Sequence, residues 1–199
     1  MENFIDLGLD LELVKALEIQ GITVPSKVQS MTIPCFMEKK DLIVQSETGS
    51  GKTLAYILPI FQMIDVELRS TQFIILTPTH ELAVQIYKQA EFLSENIQKP
   101  VKSALIIGGA NIQRQIDRLK EKPQIVIGST GRILDLIKKR KIYAHTVKAI
   151  VLDEGDRMID DLNIDDVKAV IKTTLKERQI AVFSASITEK TKNCAEQLM

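Results

Sequence analysis

The chain has 199 residues, with 26 Lys plus Arg against 26 Asp plus Glu and a formal charge of zero. Hydrophobic residues make up 45% and charged residues 26%, which excludes a disordered tail and fits one globular domain with a buried core. Zero net charge excludes nucleic-acid binding by bulk electrostatics alone, so any polyanion must be held by local groups.

No apolar run approaches the roughly 20 residues of a membrane-spanning helix. The opening Met1-Glu2-Asn3-Phe4-Ile5-Asp6 carries neither the basic nor the apolar region of a secretory signal, so a cytoplasmic protein without a membrane partner is expected. Cys35 and Cys194 lack CxxC spacing and suggest neither zinc nor a disulfide framework. Six short β-branched runs then predict strands at Leu42–Gln45, Phe73–Thr77, Ser103–Ile107, Ile125–Ile127, Ala149–Leu152 and Ile180–Phe183. Continuous apolar runs of this kind suit strands buried on both faces. Between them, Leu82, Ile86, Ala90 and Leu93 have helical spacing, as do Ile112, Ile116 and Leu119, then Ile133, Leu134 and Ile137. The alternation predicts an α/β fold, a mostly parallel sheet flanked by helices on both faces, with ligands beyond the carboxyl ends of its strands.

After the first strand candidate the chain reads Ser46-Glu47-Thr48-Gly49-Ser50-Gly51-Lys52-Thr53 and enters a helical stretch at Leu54. Gly49 and Gly51 let backbone N–H groups turn inward around a phosphate. Lys52 supplies a point charge for the β and γ oxygens, and the Thr53 hydroxyl a ligand for Mg²⁺. The general phosphate-loop pattern opens on Gly where this chain has Ser46, and a Gly-rich turn capping a helix is the structural alternative. After the fifth strand candidate comes Asp153-Glu154-Gly155-Asp156. A carboxylate at a buried strand end is costly unless paired or metal-bound. Beside a phosphate loop, Asp153 suits Mg²⁺ held through water, and Glu154 suits orienting or deprotonating an attacking water. Alone, the same tetrapeptide reads as a solvated turn.

With these two loops the chain resembles the first RecA-like domain of a DEAD-box RNA helicase, from Phe4 to its last residues. Ser46–Thr53 matches the family's motif I and Asp153–Asp156 its namesake motif II. Gly21-Ile22-Thr23-Val24-Pro25-Ser26-Lys27-Val28-Gln29 resembles the Q motif, and Phe4 stands seventeen residues before Gly21, where the family places an aromatic. The resemblance implies that Gln29 reads the adenine edge and Phe4 packs near the base, which makes the nucleotide ATP. A buried amide paired with adenine would mismatch guanine; an ordinary helix-start residue is the alternative for Gln29.

Pro78-Thr79-His80-Glu81-Leu82-Ala83-Val84-Gln85 resembles motif Ia, Gly108-Gly109 resembles the glycine doublet, and Ser129-Thr130-Gly131-Arg132 resembles motif Ib. The resemblance implies that these loops grip an RNA backbone without reading bases, chemistry open to helix N-termini, glycine N–H groups and hydroxyls. Each alone also reads as a plain turn or helix start. Ser184-Ala185-Ser186 resembles motif III, which links the ATP site to RNA; its hydroxyls bond the carboxylates of motif II, cap a helix, or do both. The resemblance therefore implies catalytic roles for Lys52, Asp153, Glu154, Asp156, Ser184 and Ser186.

Several positions depart from the family. Gly155 replaces the alanine of motif II, Ser46 an alanine in motif I, and Ser186 a threonine in motif III. His80 puts an imidazole where the family has the forked guanidinium of arginine, and Ser129-Thr130 replaces Thr-Pro, losing proline's fixed φ. The basic run Lys138–Lys141 and the acidic stretch Asp160, Asp161, Asp165 and Asp166 read as solvated surface.

The organisation expected is one RecA-like P-loop NTPase domain over 1–199, with the Q motif at 4–29 and the core at 40–199. The second RecA-like domain that the family uses is absent from the chain, which is expected to be one monomeric lobe of a larger helicase. Such a lobe binds ATP with Mg²⁺ but scarcely hydrolyses it, because an arginine supplied from across a cleft is worth roughly 10³–10⁵ in rate for related NTPases. A non-hydrolysing RNA-binding module and another P-loop nucleic-acid ATPase remain as alternatives.

Overall fold

The computed structural model describes residues 3–159 and 164–199; Asp160 and Asp161 lie outside the described residues. Helices α1 (Leu11–Ile19) and α2 (Lys27–Met37) precede strand β1 (Leu42–Gln45). Strand and helix then alternate: α3 (Lys52–Met63), β2 (Phe73–Thr77), α4 (His80–Glu95), β3 (Ser103–Ile106), α5 (Ile112–Leu119), β4 (Ile125–Ser129) and α6 (Thr130–Lys138). After β5 (Ala149–Asp153) come α7 (Gly155–Met158), α8 (Ile164–Lys172), β6 (Gln179–Ser184) and α9 (Glu189–Leu198). All six predicted strands form, and β4, β5 and β6 extend one or two residues beyond their apolar runs.

The strands make one sheet in the order β1-β6-β5-β2-β4-β3, parallel throughout. Alternate side chains serve its two faces. Phe73, Ile75, Val151 and Phe183 pack with α1 to α4, while Ile74, Leu76, Leu152 and Val182 pack with α5 to α9. Burial on both sides is what the unbroken apolar runs encode, at roughly 1.5–3 kcal/mol for each large aliphatic side chain.

The amino ends of the strands are closed by buried glutamines that sequence periodicity does not flag. Gln72 donates to the Asp65 carbonyl at 2.6 Å, Gln124 accepts from Lys102 N at 2.9 Å, and Gln179 donates to the Lys40 carbonyl. Side-chain amides there satisfy backbone groups that the ladders leave open. The opposite, carboxyl end carries the loops that open α3, α4 and α6. Because β6 lies between β1 and β5, Ser184 separates the loop after Gln45 from the carboxylate of Asp153.

Candidate functional site

The Ser46–Gly51 loop leaves β1 and delivers Lys52 as the first residue of α3. Ser46 N–H bonds the Ser184 carbonyl at 3.0 Å, so the loop starts pinned to β6. Its hydroxyls close on one another: Ser46 Oγ donates to Ser50 Oγ, and Ser50 Oγ donates to the Glu47 carbonyl, both at 2.7 Å. The Lys52 ammonium caps the carbonyls of Ser46 and Glu47, the second at 2.7 Å. Gly51 has φ +97°, and a Cβ there would lie 2.5 Å from Gln29 Nε2, so the turn requires glycine twice over.

Gln29 is 3% exposed and sits in the first turn of α2. Its Oε1 accepts from Ser26 N at 2.8 Å, completing a capping box, and its Nε2 donates to the Gly51 carbonyl at 3.2 Å. The amide thus ties α2 to the phosphate-type loop, and these two bonds leave one Oε1 lone pair and one Nε2 N–H unused. Phe4 is 1% exposed and belongs to the core beneath α1 to α4. Its ring is enclosed among aliphatic side chains here, not open beside the loop. A cleft of about 650 Å³ opens between α2 and β1 and includes Ser46 and Ser50 in its wall.

On the other side of the loop, a cleft of about 420 Å³ brings Gly49, Lys52 and Thr53 together with Asp153, Glu154 and Asp156. Thr48 and Ala185 also line it. Asp153 ends β5 at 3% exposure. Its Oδ1 accepts from Glu154 N at 2.9 Å and its Oδ2 from the Tyr56 hydroxyl at 2.7 Å. Burial raises its pKa above the ordinary carboxylate value; the Tyr56 phenol, the Glu154 N–H and the Lys52 charge oppose that rise without cancelling it. Burial likewise pushes the Tyr56 phenol well up, reinforced by the Asp153 charge.

Glu154 adopts φ +53°, a left-handed conformation uncommon outside glycine, and its Oε2 accepts from Arg157 Nη1 at 2.9 Å. Asp156 N–H bonds Ser184 Oγ at 3.3 Å, and Asp156 Oδ2 accepts from Ser186 Oγ at 2.7 Å. Partial burial raises the Asp156 pKa, but the Ser186 and Ser184 hydroxyls and local N–H groups outweigh it and hold the carboxyl below the ordinary range. Ser184 Oγ also donates to the Ser186 carbonyl at 2.7 Å. Of the two sequence readings for these hydroxyls, contact with motif II is the one found. Thr188, not Ser184 or Ser186, caps α9.

The three remaining loops share the same rim. Thr79 caps α4 by accepting from Leu82 N at 3.2 Å, which leaves Pro78 before the helix and His80 and Glu81 exposed in its first turn. Gly108 N–H bonds Ser129 Oγ at 3.3 Å, Arg132 Nη1 donates to the Ala110 carbonyl at 3.4 Å, and the His80 ring lies beside Gly108. The β2, β3 and β4 loops therefore meet. Thr130 is 8% exposed and its side chain is largely withdrawn from the rim, whereas Gly131 is exposed. Tyr56, Gln85 and Arg157 join the site beyond the residues to which the sequence assigns a role. Gln85 and Arg157 line the acidic cleft. Gln85 lay within the motif Ia stretch and was a findable signal; Tyr56 read only as part of an apolar helix.

A parallel sheet that feeds a glycine-rich loop into a helix, with a carboxylate ending the strand two places away, defines a RecA-like P-loop domain. The chain belongs to the DEAD/DEAH box helicase family, whose model matches residues 26–194. It is 39% identical to the DEAD-box ATP-dependent RNA helicase CshC of Bacillus cereus, over 94% of this chain and 47% of that protein. A DEAD box protein from Methanococcus jannaschii superposes with a TM-score of 0.92 at 34% identity, covering 99% of this chain and 53% of the other. S. cerevisiae Dbp5 bound to RNA and ADP BeF3 superposes with a TM-score of 0.89 at 29% identity, covering 100% and 50%. The chain thus spans about half the length of these relatives. Among the described residues, no helix is long and apolar enough to cross a membrane.

Proposed function

We propose that this chain is the ATP- and RNA-binding lobe of an ATP-dependent RNA helicase, a cytoplasmic protein that couples ATP hydrolysis to RNA remodelling. The observation that carries the reading is one cleft holding Lys52 and Thr53 at a helix N-terminus opposite Asp153 and Glu154. Phosphate oxygens entering the loop would draw the Lys52 ammonium from the carbonyls of Ser46 and Glu47, while N–H groups at Gly49 and Gly51 face the anion. The hard oxygen donors of Thr53 and Asp153 fit Mg²⁺, which binds through one or two protein oxygens plus substrate phosphates and water. When bound, Mg²⁺ neutralises charge that develops on the phosphates.

Glu154 orients the attacking water once Arg157 releases or shares it, and the Asp156–Ser186 bond ties that cleft to the loop after β6. Gln29 selects adenine through the Oε1 lone pair and the Nε2 N–H that its bonds to Ser26 and Gly51 leave unused. The rim formed by Pro78–Glu81, Gly108-Gly109 and Ser129–Arg132 takes an RNA backbone without base readout, in keeping with Dbp5, solved with RNA and ADP BeF3. A second RecA-like domain completes the site in the whole protein. Alone, the lobe is monomeric and binds nucleotide while hydrolysing it hardly at all.

Competition between ATP and GTP for the chain in Mg²⁺ tests this reading. ATP is expected to win by about tenfold or more, the discrimination a mismatched buried amide supplies. Equal affinities, or binding that survives Lys52→Ala, would overturn it.

A further inference from the structure

Asp153 is nearly inaccessible at 3% exposure, where an ionised carboxylate is expensive without donors. Among the described residues no cation lies within ion-pair distance of it. Its recorded hydrogen bonds are the N–H of Glu154 on Oδ1 and the phenol of Tyr56 on Oδ2. Tyr56 is itself fully buried, and its ring meets Phe183 edge-on with centroids 5.0 Å apart at 62°. The phenol therefore has little freedom to move. Three residues after Thr53, Tyr56 shares that residue's face of α3.

We propose that Tyr56 is a positioning residue for Mg²⁺-nucleotide binding: its fixed hydroxyl sets the rotamer of Asp153 relative to Thr53. This inference rests on the reading of Asp153 and Thr53 as the magnesium-side groups. The choice of donor matters physically. A lysine or arginine on Oδ2 would satisfy the carboxylate but neutralise it and repel a divalent cation. A phenol satisfies one lone pair, leaves the full negative charge, and leaves each oxygen a further lone pair for a metal-bound water. Phenylalanine at this position would fill the same space against Phe183 and leave Oδ2 without its side-chain donor. Partners of this kind, one bond removed from the metal, typically cost 10–100-fold in metal affinity when lost.

ADP titration of the 199-residue chain, with Mg²⁺ and with EDTA, separates the possibilities. Tyr56→Phe is expected to cut the Mg²⁺ enhancement of ADP affinity by about tenfold, to leave the EDTA value within about twofold, and to regain wild-type affinity at high Mg²⁺. Phe183→Leu, which disturbs the ring packing but keeps the phenol, is expected to lower thermal stability without changing the Mg²⁺ enhancement. Equal loss in EDTA and Mg²⁺ for both variants would reduce Tyr56 to a packing residue and overturn the inference. An intact enhancement in Tyr56→Phe, with Asp153→Asn abolishing it, would overturn the inference alone. If the wild-type chain shows no Mg²⁺ enhancement, the underlying reading of the site falls with it.

Discussion

Gly155→Ala restores the alanine that the family carries in motif II, yet the structure predicts that it destabilises this chain. A Cβ at Gly155 would lie 2.4 Å from Val182 Cγ1 and 3.4 Å from the Phe183 carbonyl oxygen. Val182 is fully buried in β6, and a β-branched side chain in a strand has little rotamer freedom with which to yield. Forcing a methyl into a packed interior costs roughly 1–3 kcal/mol. Opposing that, Gly155 opens α7 without a positive φ, so alanine gains roughly 0.5–1 kcal/mol in backbone entropy. The net is a loss of roughly 0–2.5 kcal/mol, which lowers Tm by up to about 10 °C in a domain of this size. Val182→Ala removes the obstructing carbon, so in that background Gly155→Ala should change sign and stabilise by about 0.5–1 kcal/mol. The assay is thermal unfolding of the wild type, both single variants and the double variant. If Gly155→Ala has the same effect with and without Val182, the steric reasoning is wrong.

Ser46→Ala removes the 2.7 Å bond to Ser50 that helps hold the loop closed on itself; if phosphate must open that loop, ADP affinity should rise about 2–10-fold, and weaker binding would refute this. Ser186→Ala removes a donor from Asp156, whose lowered pKa contributes stability above the unfolded value of 3.8 that is lost as pH falls through the folded value. Because Asp156 is only partly buried and its charge is screened, the penalty should be no more than about 0.5 kcal/mol at pH 7 and should vanish in thermal melts once pH falls below the folded pKa; a pH-independent penalty contradicts the assignment. His80→Arg returns a forked cation to the exposed first turn of α4 beside Gly108. It should tighten single-stranded RNA binding and steepen the dependence of log K on log salt by a little under one unit, and an unchanged slope would count against a phosphate contact there.

The strands were legible because burial on both faces leaves an unbroken apolar signature, as in Ile74–Leu76 and Ile150–Leu152. Gly49, Gly51, Lys52 and Asp153 were legible because their chemistry depends on local spacing around a strand end. What stayed hidden depends on contacts between distant segments. Tyr56 and Asp153 are 97 residues apart, and nothing in the apolar pattern of α3 distinguishes a tyrosine that fills space from one that holds a carboxylate. The sequence shows Gly155 in place of alanine but not that Val182 occupies the room a methyl there would need. Phe4 and Gln29 were readable as positions, but not as side chains already engaged, one in the core and the other in a capping box. Thr130 was grouped with its exposed neighbours by sequence adjacency, whereas the first turn of α6 turns it inward.

The balance of 26 cations against 26 anions is misleading for a polyanion-binding fold because it counts only side chains. The N-termini of α3, α4 and α6 all stand at the carboxyl ends of their strands. Each presents unpaired N–H groups equivalent to roughly half a positive charge, and none of this enters the tally. The cations on that rim are few: Lys52 on the phosphate-type loop, Arg157 in the same cleft, and Arg132 where the β2, β3 and β4 loops meet. The carboxylates Asp153, Glu154 and Asp156 share the cleft with Lys52, so added lysines there would form ion pairs before they met a phosphate. Oriented backbone N–H groups add positive potential at the rim without adding a side-chain charge. Side-chain neutrality and anion binding are therefore compatible in this fold, provided the helix starts remain where β1, β2 and β4 put them.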